Sequence, residues 1–430
     1  MNKIDIPTGW SLKKLGNLAT ITRGASPRPI HDPIWFDDNS NIGWLRISDL
    51  TKSDKYLFET VQKLSSKGVS HSRFVQNNSL ILSICATVGQ PIISKIDTCI
   101  HDGFVVFYNL SSDIEFIYYV LTYIRGEWFK SGQTGSQMNL NTSIINDFTF
   151  LLPPLAEQQK IAQALTDADN YISALEKLIE KKKMIKEGLM VNLLTGKQRL
   201  KEFSFNKDGT AKGYKDSELG KIPEDWDVIE LIDTASKSKK WSFVGGPFGS
   251  SLKTDDYTEY GIQIIQLQNM GDGHFINDNV IYTSVEKANE LLSNNIYAGE
   301  IIISKMGDPV ARACIMPNHA DRYLMASDGI RLSIDTNKFD TRFIHDFINF
   351  KIFRNQAINA STGSTRQRIS LSELKKLKLF SPSYEEQLAI GNTFKDLDSQ
   401  ILALDQKLNK AKLLKQGMMQ KLLTGEIRLA

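Results

Sequence analysis

Cysteine is scarce in this chain of 430 residues: there are three, Cys85, Cys99 and Cys314. An odd number, with no CxxC and no Cys/His cluster, argues against a disulfide framework and against structural zinc. The expectation is three small buried hydrophobes in a reducing cytosol. Long apolar runs are missing as well. No stretch of about 18 uninterrupted apolar residues occurs, so no membrane span is predicted. The start, MNKIDIPTGWSLKKLG, lacks the apolar core of a signal peptide. The chain therefore reads as cytoplasmic. An excess of one charge is also lacking: 52 Lys and Arg stand against 49 Asp and Glu, a formal net charge of +3. Any electrostatic case for nucleic acid must rest on local clusters.

Motifs for chemistry are absent too. There is no GxGxxG, and no GxxxxGK followed by Ser or Thr, so neither a dinucleotide nor an NTP site is signalled. An adenine methyltransferase needs Asn or Asp, two prolines and an aromatic. The sole Pro-Pro, in Leu152-Pro153-Pro154-Leu155, has neither flanking residue. GGPFG at Gly245–Gly249 is glycine-rich without the Lys-Ser/Thr, and reads as a loop. The six histidines form no HExxH. Glu180-Lys181-Lys182 reads as a solvated helix face rather than a nuclease triplet.

What is present is a repeat. LLTGKQRLK recurs as LLTGEIRLA: Leu194, Thr195, Gly196, Arg199 and Leu200 return as Leu423, Thr424, Gly425, Arg428 and Leu429, offset by 229. The same offset carries Pro153, Glu157, Gln158 and Ile161 onto Pro382, Glu386, Gln387 and Ile390. Ile6–Trp10 (IPTGW) matches Ile222–Trp226 (IPEDW). Between these anchors the likeness is patchy. Trp44–Leu50 lies on Ile264–Met270, and HDGFVVF from His101 lies on SDGIRLS from Ser327. Two halves therefore share a plan and differ in most side chains.

The repeated ends predict long helices. From Glu157 to Leu194 there is no proline, and Ile161, Leu165, Ala168, Ile172, Leu175, Ile179, Ile185 and Leu189 follow steps of four and three. The second copy gives Ile390, Phe394, Leu397, Ile401, Leu404, Leu408, Ala411, Leu414 and Met418 at the same offset, with Ala411 where the first copy has its one break, Lys182. Proline before each segment and Thr-Gly after it suit a helix start and stop. Such a helix would be roughly 57 Å long, and alone would leave an apolar stripe wet. The expected partner is the other copy, in an antiparallel pair. The core of that seam is Ile161, Leu165, Ile172, Leu175 and Ile179 against Ile390, Phe394, Leu397, Ile401, Leu404 and Leu408.

The halves read as mixed α/β. Strands are predicted at Ser79–Ile84, Phe104–Tyr108, Glu300–Ser304 and Ile330–Ile334, and helices at Glu115–Arg125 and Thr341–Asn355. The fold class is α+β: two pseudo-symmetric mixed α/β domains separated by a long antiparallel two-helix coiled coil. The boundaries are 1–152 for the first domain, 153–201 for the central helix and 202–222 for a surface linker. The second domain is 223–381 and the last helix 382–430.

Local clusters suit DNA. Ser361–Arg368 (STGSTRQR) is a short polar loop in which Ser364, Thr365, Arg366, Gln367 and Arg368 are candidates. Arg and Gln can make paired contacts to guanine and adenine edges. The counterpart loop Ser131–Asn139 offers Gln133, Ser136, Gln137 and Asn139. A further cluster sets Arg46 and Asp49 in the first half against Gln266, Gln268 and Asn269 in the second. Ordinary turns and solvated strand ends are the competing readings.

Pro-Pro-Leu-x-Glu-Gln-x-x-Ile-Ala, then a long helix and Leu-Leu-Thr-Gly, resembles the characteristic regions of type I restriction-modification specificity subunits. GYKDSELGKIPEDW at Gly213–Trp226 is similar to the start of that family's second target recognition domain. Ser383 and Tyr384 depart from the pattern at the second proline and the leucine. The resemblance implies a non-catalytic subunit whose two target recognition domains each read one half of a bipartite site in double-stranded DNA. It implies helices that set the gap, and two methylation and two restriction subunits as partners. S-adenosylmethionine, Mg and ATP would belong to those partners, with no cofactor on this chain. The competing classes are an enzyme with fused recognition domains, which the missing motifs disfavour, and a coiled-coil adaptor that binds only proteins.

Overall fold

The computed structural model describes residues 6–128, 140–363 and 366–429. They fall into two units: Met1–Lys177 with Asp405–Ala430, and Leu178–Leu404. No helix among the described residues is long and apolar enough to cross a membrane.

In the first unit a five-stranded sheet runs in the order Thr20–Arg23, Phe104–Tyr108, Ser79–Ser83, Pro91–Ser94, Tyr56–Leu57. A four-stranded sheet runs Gln62–Lys63, Gly43–Leu45, Thr98–Ile100, Arg73–Val75, with its central pair parallel. Strand residues alternate between two cores, as the two-residue period dictates. Leu80 and Leu82 face the helix Ile114–Trp128 and the long helix, packing with Phe116, Ile161 and Leu165. Ile81 faces the other way, with Leu45 and Ile100 of the second sheet.

The second unit repeats the plan. Its four-stranded sheet runs Phe243–Gly245, Gly329–Leu332, Ile301–Ser304, Ala313–Ile315. Ile301 and Ile303 pack with Phe343, Ile390 and Phe394, while Ile302 turns to Ile265 and Met325 of a five-stranded sheet. The four predicted strands are found, with ends shifted by a residue or two. The predicted helix Thr341–Asn355 is instead two, Thr341–Ile348 and Lys351–Asn359. Asn349 explains the break. Its side chain accepts from the Ala313 amide (3.1 Å) and donates to the Ala313 carbonyl (3.0 Å), which pins the chain to a sheet edge. The linker holds a hairpin, Tyr214–Ser217 with Gly220–Pro223.

The long helices are Leu155–Leu193 and Tyr384–Leu423, and each contributes residues to both units. Within each unit their segments run antiparallel. In the first, Asp169 pairs with Lys415 (2.5 Å) and Glu176 with Lys412 (2.7 Å). In the second, Lys186 pairs with Asp398 (2.6 Å) and Lys182 with Gln400 (2.8 Å). Lys186 and Lys415 are repeat equivalents, as are Asp169 and Asp398.

The seam is partly corrected. Ile161, Leu165, Leu175, Ile179, Ile390, Phe394 and Leu397 are buried, and Ile172, Ile401, Leu404 and Leu408 are half-buried. Ile185 and its equivalent Leu414 stand exposed, at 41% and 63%. The facing stripe at that level runs through Lys182 and Lys186, four residues apart, so the contact is polar and the apolar neighbour is rotated outward.

The strongest repeat residues build a clamp. Glu157, at the start of the first long helix, accepts from Trp10 Nε1 (3.0 Å) and from Arg428 Nε and Nη2 (2.7 and 2.8 Å). Glu386 likewise accepts from Trp226 Nε1 (3.0 Å) and from Arg199 Nε (2.8 Å) and Nη2. Gly425 and Gly196 let each chain pass, with φ of +75° and +65°. A Cβ on either would sit 2.5 Å from Pro7 or Pro223. Gln158 and Gln387 complete the joint, each accepting from a helix-start amide (Asp113, Asp340) and donating to a proline carbonyl.

Two outcomes follow for stability. Arg199 and Glu386 are 5% and 1% exposed, so Arg199→Ala leaves a buried carboxylate unpaired. Denaturant melts of the full chain should show a loss of about 3–5 kcal/mol; an unchanged midpoint would refute the clamp. In the first unit, the Arg428 guanidinium holds the Glu157 carboxyl below its usual 4.5, against the opposing effect of burial. A carboxyl lowered by folding stabilises fully above that usual value, and the contribution is lost as pH falls through the lowered one. Glu157→Gln should therefore melt lower than the parent at neutral pH, and the gap should narrow on acidification. A gap independent of pH would contradict this.

Candidate nucleic-acid interface

In the second unit the strand Ile262–Ile265 ends at Gln266, and a single turn, Leu267–Asn269, follows. Asn269 closes that turn. Its Oδ1 accepts from the Gln266 amide (2.9 Å), and its Nδ2 donates to the Ile276 and Asp278 carbonyls (3.0 and 3.1 Å). Gln266 and Gln268 point the other way. Gln268 is exposed, and its Nε2 donates to Gln266 Oε1 (3.0 Å). They line a cleft of about 570 Å³ with Phe248, Tyr257, Arg312 and Asp328.

Asp328 also accepts from Arg368 Nη2 (3.0 Å). Arg368 of the later cluster is thereby tied to the cleft that Gln266 and Gln268 of the earlier cluster line. Arg368 is held by mutual backbone bonds with Thr362, at 2.9 Å each. Arg366 is exposed, and Gln367 is half-buried, its carbonyl accepting from Gly307. Lys305 donates to the Ser327 carbonyl (3.0 Å). Burial and the nearby Arg368 charge lower its ammonium pKa, against the pull of Asp328.

The first unit has the same scaffold with different side chains. The strand Gly43–Leu45 ends at Arg46, whose amide donates to Asp49 Oδ2 (2.9 Å), as Gln266 does to Asn269. The Arg46 guanidinium donates to Gln62 Oε1 (3.1 Å). Asp102, in the place of Asp328, accepts from Ser26 (2.9 Å) and Arg28 (3.2 Å). Burial raises its pKa, but those partners and His101 prevail and hold it low. His101 is lowered by burial, and the Arg46, Arg28 and Arg23 charges add to that, against Asp102. Three arginines therefore gather at this site, while the second unit's cleft carries Gln266, Gln268 and Phe248 beside Arg312.

Two candidates are corrected. Asp49 is 4% exposed, and its second oxygen accepts from the Val61 amide (3.0 Å). Asn269 is 1% exposed. Both are interior braces of a turn and present nothing to a ligand, because the turn's own amides and carbonyls use their polar atoms. Gln133, Ser136, Gln137, Asn139, Ser364 and Thr365 lie outside the described residues. The sequence reading missed Arg23, Arg28, Phe248, Arg312 and the aspartate pair. The alignment of HDG on SDG already placed Asp102 on Asp328, and that was the signal available.

The described residues hold no group of three His, Cys, Asp or Glu placed to bind a metal. Burial pushes the Cys99 and Cys314 thiols up to about 11 and 12. The arrangement offers hydrogen-bond donors and acceptors at a concave, positively charged surface.

A family model described as the type I restriction modification DNA specificity domain matches twice, over residues 7–187 and 223–413. The chain belongs to that family. It is a type I specificity subunit with two target recognition domains, one per unit. The MjaVIII specificity subunit of Methanocaldococcus jannaschii is 25% identical over 325 residues, 74% of this chain and 72% of that one. The MjaIX specificity subunit of the same organism is 22% identical over 438 residues, 98% and 94% of the two chains. The S subunit structure from M. genitalium superposes with a TM-score of 0.59 at 13% identity, covering 98% of this chain and 97% of that one. A chain from a structure of type I restriction-modification complex assembly gives 0.56 at 14%, covering 98% and 100%. At those identities the structural likeness is one of fold.

The inward and outward residues of this specificity subunit should separate by experiment. Asp49→Ala and Asn269→Ala should each cost about 1–3 kcal/mol in denaturant melts, since buried amides lose their acceptors. Arg46→Ala and Gln268→Ala should leave melting within about 0.5 kcal/mol, and instead relax base preference by about 1–3 kcal/mol in competition binding. The opposite pattern would show that the assignment is reversed.

Proposed function

We propose that this chain is the non-catalytic DNA reader of a type I restriction-modification complex, and that each unit reads one half of a bipartite site in double-stranded DNA. The observation that carries this is one scaffold with two sets of side chains. The same turn, the same brace and the same aspartate recur in both units, while Arg46 and Ser26 in one stand where Gln266 and Phe248 stand in the other. A shared scaffold with different polar tips is what reading two different half-sites requires.

The long helices set the gap between half-sites, since their length is fixed by the repeat. They also dock two methylation subunits. Leu402, Leu413, Met184 and Tyr171 are 53–69% exposed along them, more apolar surface than a solvated helix face needs. In the first unit an apolar groove of about 520 Å³ runs between Ala164, Ala168 and Tyr171 on one helix and Ala411, Leu414 and Met418 on the other. Two restriction subunits complete the complex. S-adenosylmethionine, Mg and ATP are bound by the partners. The cytoplasm is where the complex meets its DNA.

The test is methylation mapping of DNA from cells that express the chain with its methylation partner. One asymmetric, split motif with a modified adenine in each half is expected. Exchanging residues 202–382 for those of another family member should change one half of the motif only. A continuous motif, or none, would overturn the reading. So would methylation by the purified chain alone.

A further inference from the structure

Phe248 is the most exposed large apolar side chain among the described residues, at 86%. It is not on a loose tail. The preceding Gly246 donates its amide to the Gly329 carbonyl (2.7 Å), and a Cβ there would lie 1.9 Å from the Ala326 carbonyl oxygen. Only glycine allows that approach. Asn294 holds the Gly245 carbonyl (2.8 Å), and the Ser251 amide closes the turn onto the Phe248 carbonyl (2.8 Å). The ring is therefore displayed by a pinned turn on the wall of the cleft that holds Gln266, Gln268 and Arg312.

Its surroundings point to an occupant. Lys305, Arg312 and Arg368 gather at or beside the cleft, against the carboxylate of Asp328. Arg312 Nε is buried and finds no acceptor among the described residues. The cleft thus offers positive charge, amide donors and acceptors, and one bare apolar ring, a set that matches a base pair in the major groove. Glutamine pairs with an adenine edge, and an apolar side chain beside it contacts the thymine methyl group. In the first unit the equivalent glycine, Gly24, approaches the Ile100 and His101 carbonyls in the same way, and the loop after it carries Ser26 and Arg28. The loop is one structural device given different tips.

We propose that Phe248 is a specificity-determining residue of the second domain, contacting a thymine methyl in the half-site that this domain reads, next to the bases met by Gln266 and Gln268. The inference rests on the reading of the chain as a DNA specificity subunit.

The test uses the full chain in complex with its methylation subunits. The motif is first mapped, and the half belonging to the second domain is assigned by the exchange of residues 202–382. Duplexes then carry deoxyuridine in place of each thymine of that half, which removes the methyl and nothing else. At one position, parent binding should weaken about threefold to fivefold, as expected for one buried methyl. Phe248→Ala should weaken binding to the parent duplex by at least about threefold to fivefold and should be indifferent to that substitution. Both proteins should respond alike to deoxyuridine in the other half-site. The variant should melt like the parent, since the ring is exposed. Equal sensitivity of parent and variant at every thymine would overturn the proposal. So would a variant that fails only to assemble with the methylation subunits, which would make the ring a protein contact. A parent that directs no split motif would overturn the functional reading, and this inference with it.

Discussion

A single carboxylate at the start of each long helix holds its unit together. Glu157 and Glu386 each take an indole N–H from the domain's first strand region and a two-pronged guanidinium from the end of the opposite helix copy. Two segments distant in sequence are tied at one buried point in each unit. The geometry of a planar guanidinium on a carboxylate fixes angle as well as distance. Once that joint is set, the helix starts at its proline, the first strand lies along the last strand of its domain, and the sheets pack on the helix. The second ion pairs, Asp169 with Lys415 and Asp398 with Lys186, set the helix segments against each other by the same doubled logic.

That division of labour explains where variation is allowed. Residues shared by the two halves are braces: the buried glutamates, tryptophans, Gln158 and Gln387, the arginines that pair with the glutamates, and the glycines that pass at left-handed φ. Residues that differ lie at the tips of turns whose bases are pinned by backbone bonds. Arg46 and Gln266 occupy one position on one frame, and so do the loops that follow Gly24 and Gly246. A braced frame tolerates any tip that does not invade it, so the two domains are free to present different tips at one position, Arg46 in one and Gln266 in the other.

Much of this was legible from the chain. The helix seam, the repeat, the main strands and the domain plan follow from periodicity and offset. Of the polar clusters read from the sequence, Gln266 and Gln268 line one cleft with Asp328, and Arg368 pairs with that aspartate. Inside each cluster, however, sequence could not separate Gln268 from Asn269. Both are polar amides one residue apart, yet one faces solvent and the other braces a turn with three backbone hydrogen bonds. Likewise Ile185 and Leu414 fit the heptad and still stand exposed, because lysines one residue away make the helix contact.

By itself the sequence determined that there are two copies of one design, that long helices end each copy, and that no familiar catalytic motif is written in it. Those properties live in spacing, and spacing is visible without coordinates. Tertiary structure alone decided that the repeated glutamates, tryptophans and arginines are structural. It also decided that Asp328, on the wall of the cleft with Gln266 and Gln268, pairs with Arg368, and that Phe248, read as part of an ordinary glycine loop, stands bare on the wall of that cleft. The reason is physical. Which side of a turn a side chain takes, and what lies across from it, is set by packing between segments far apart in the chain, and no local pattern encodes that.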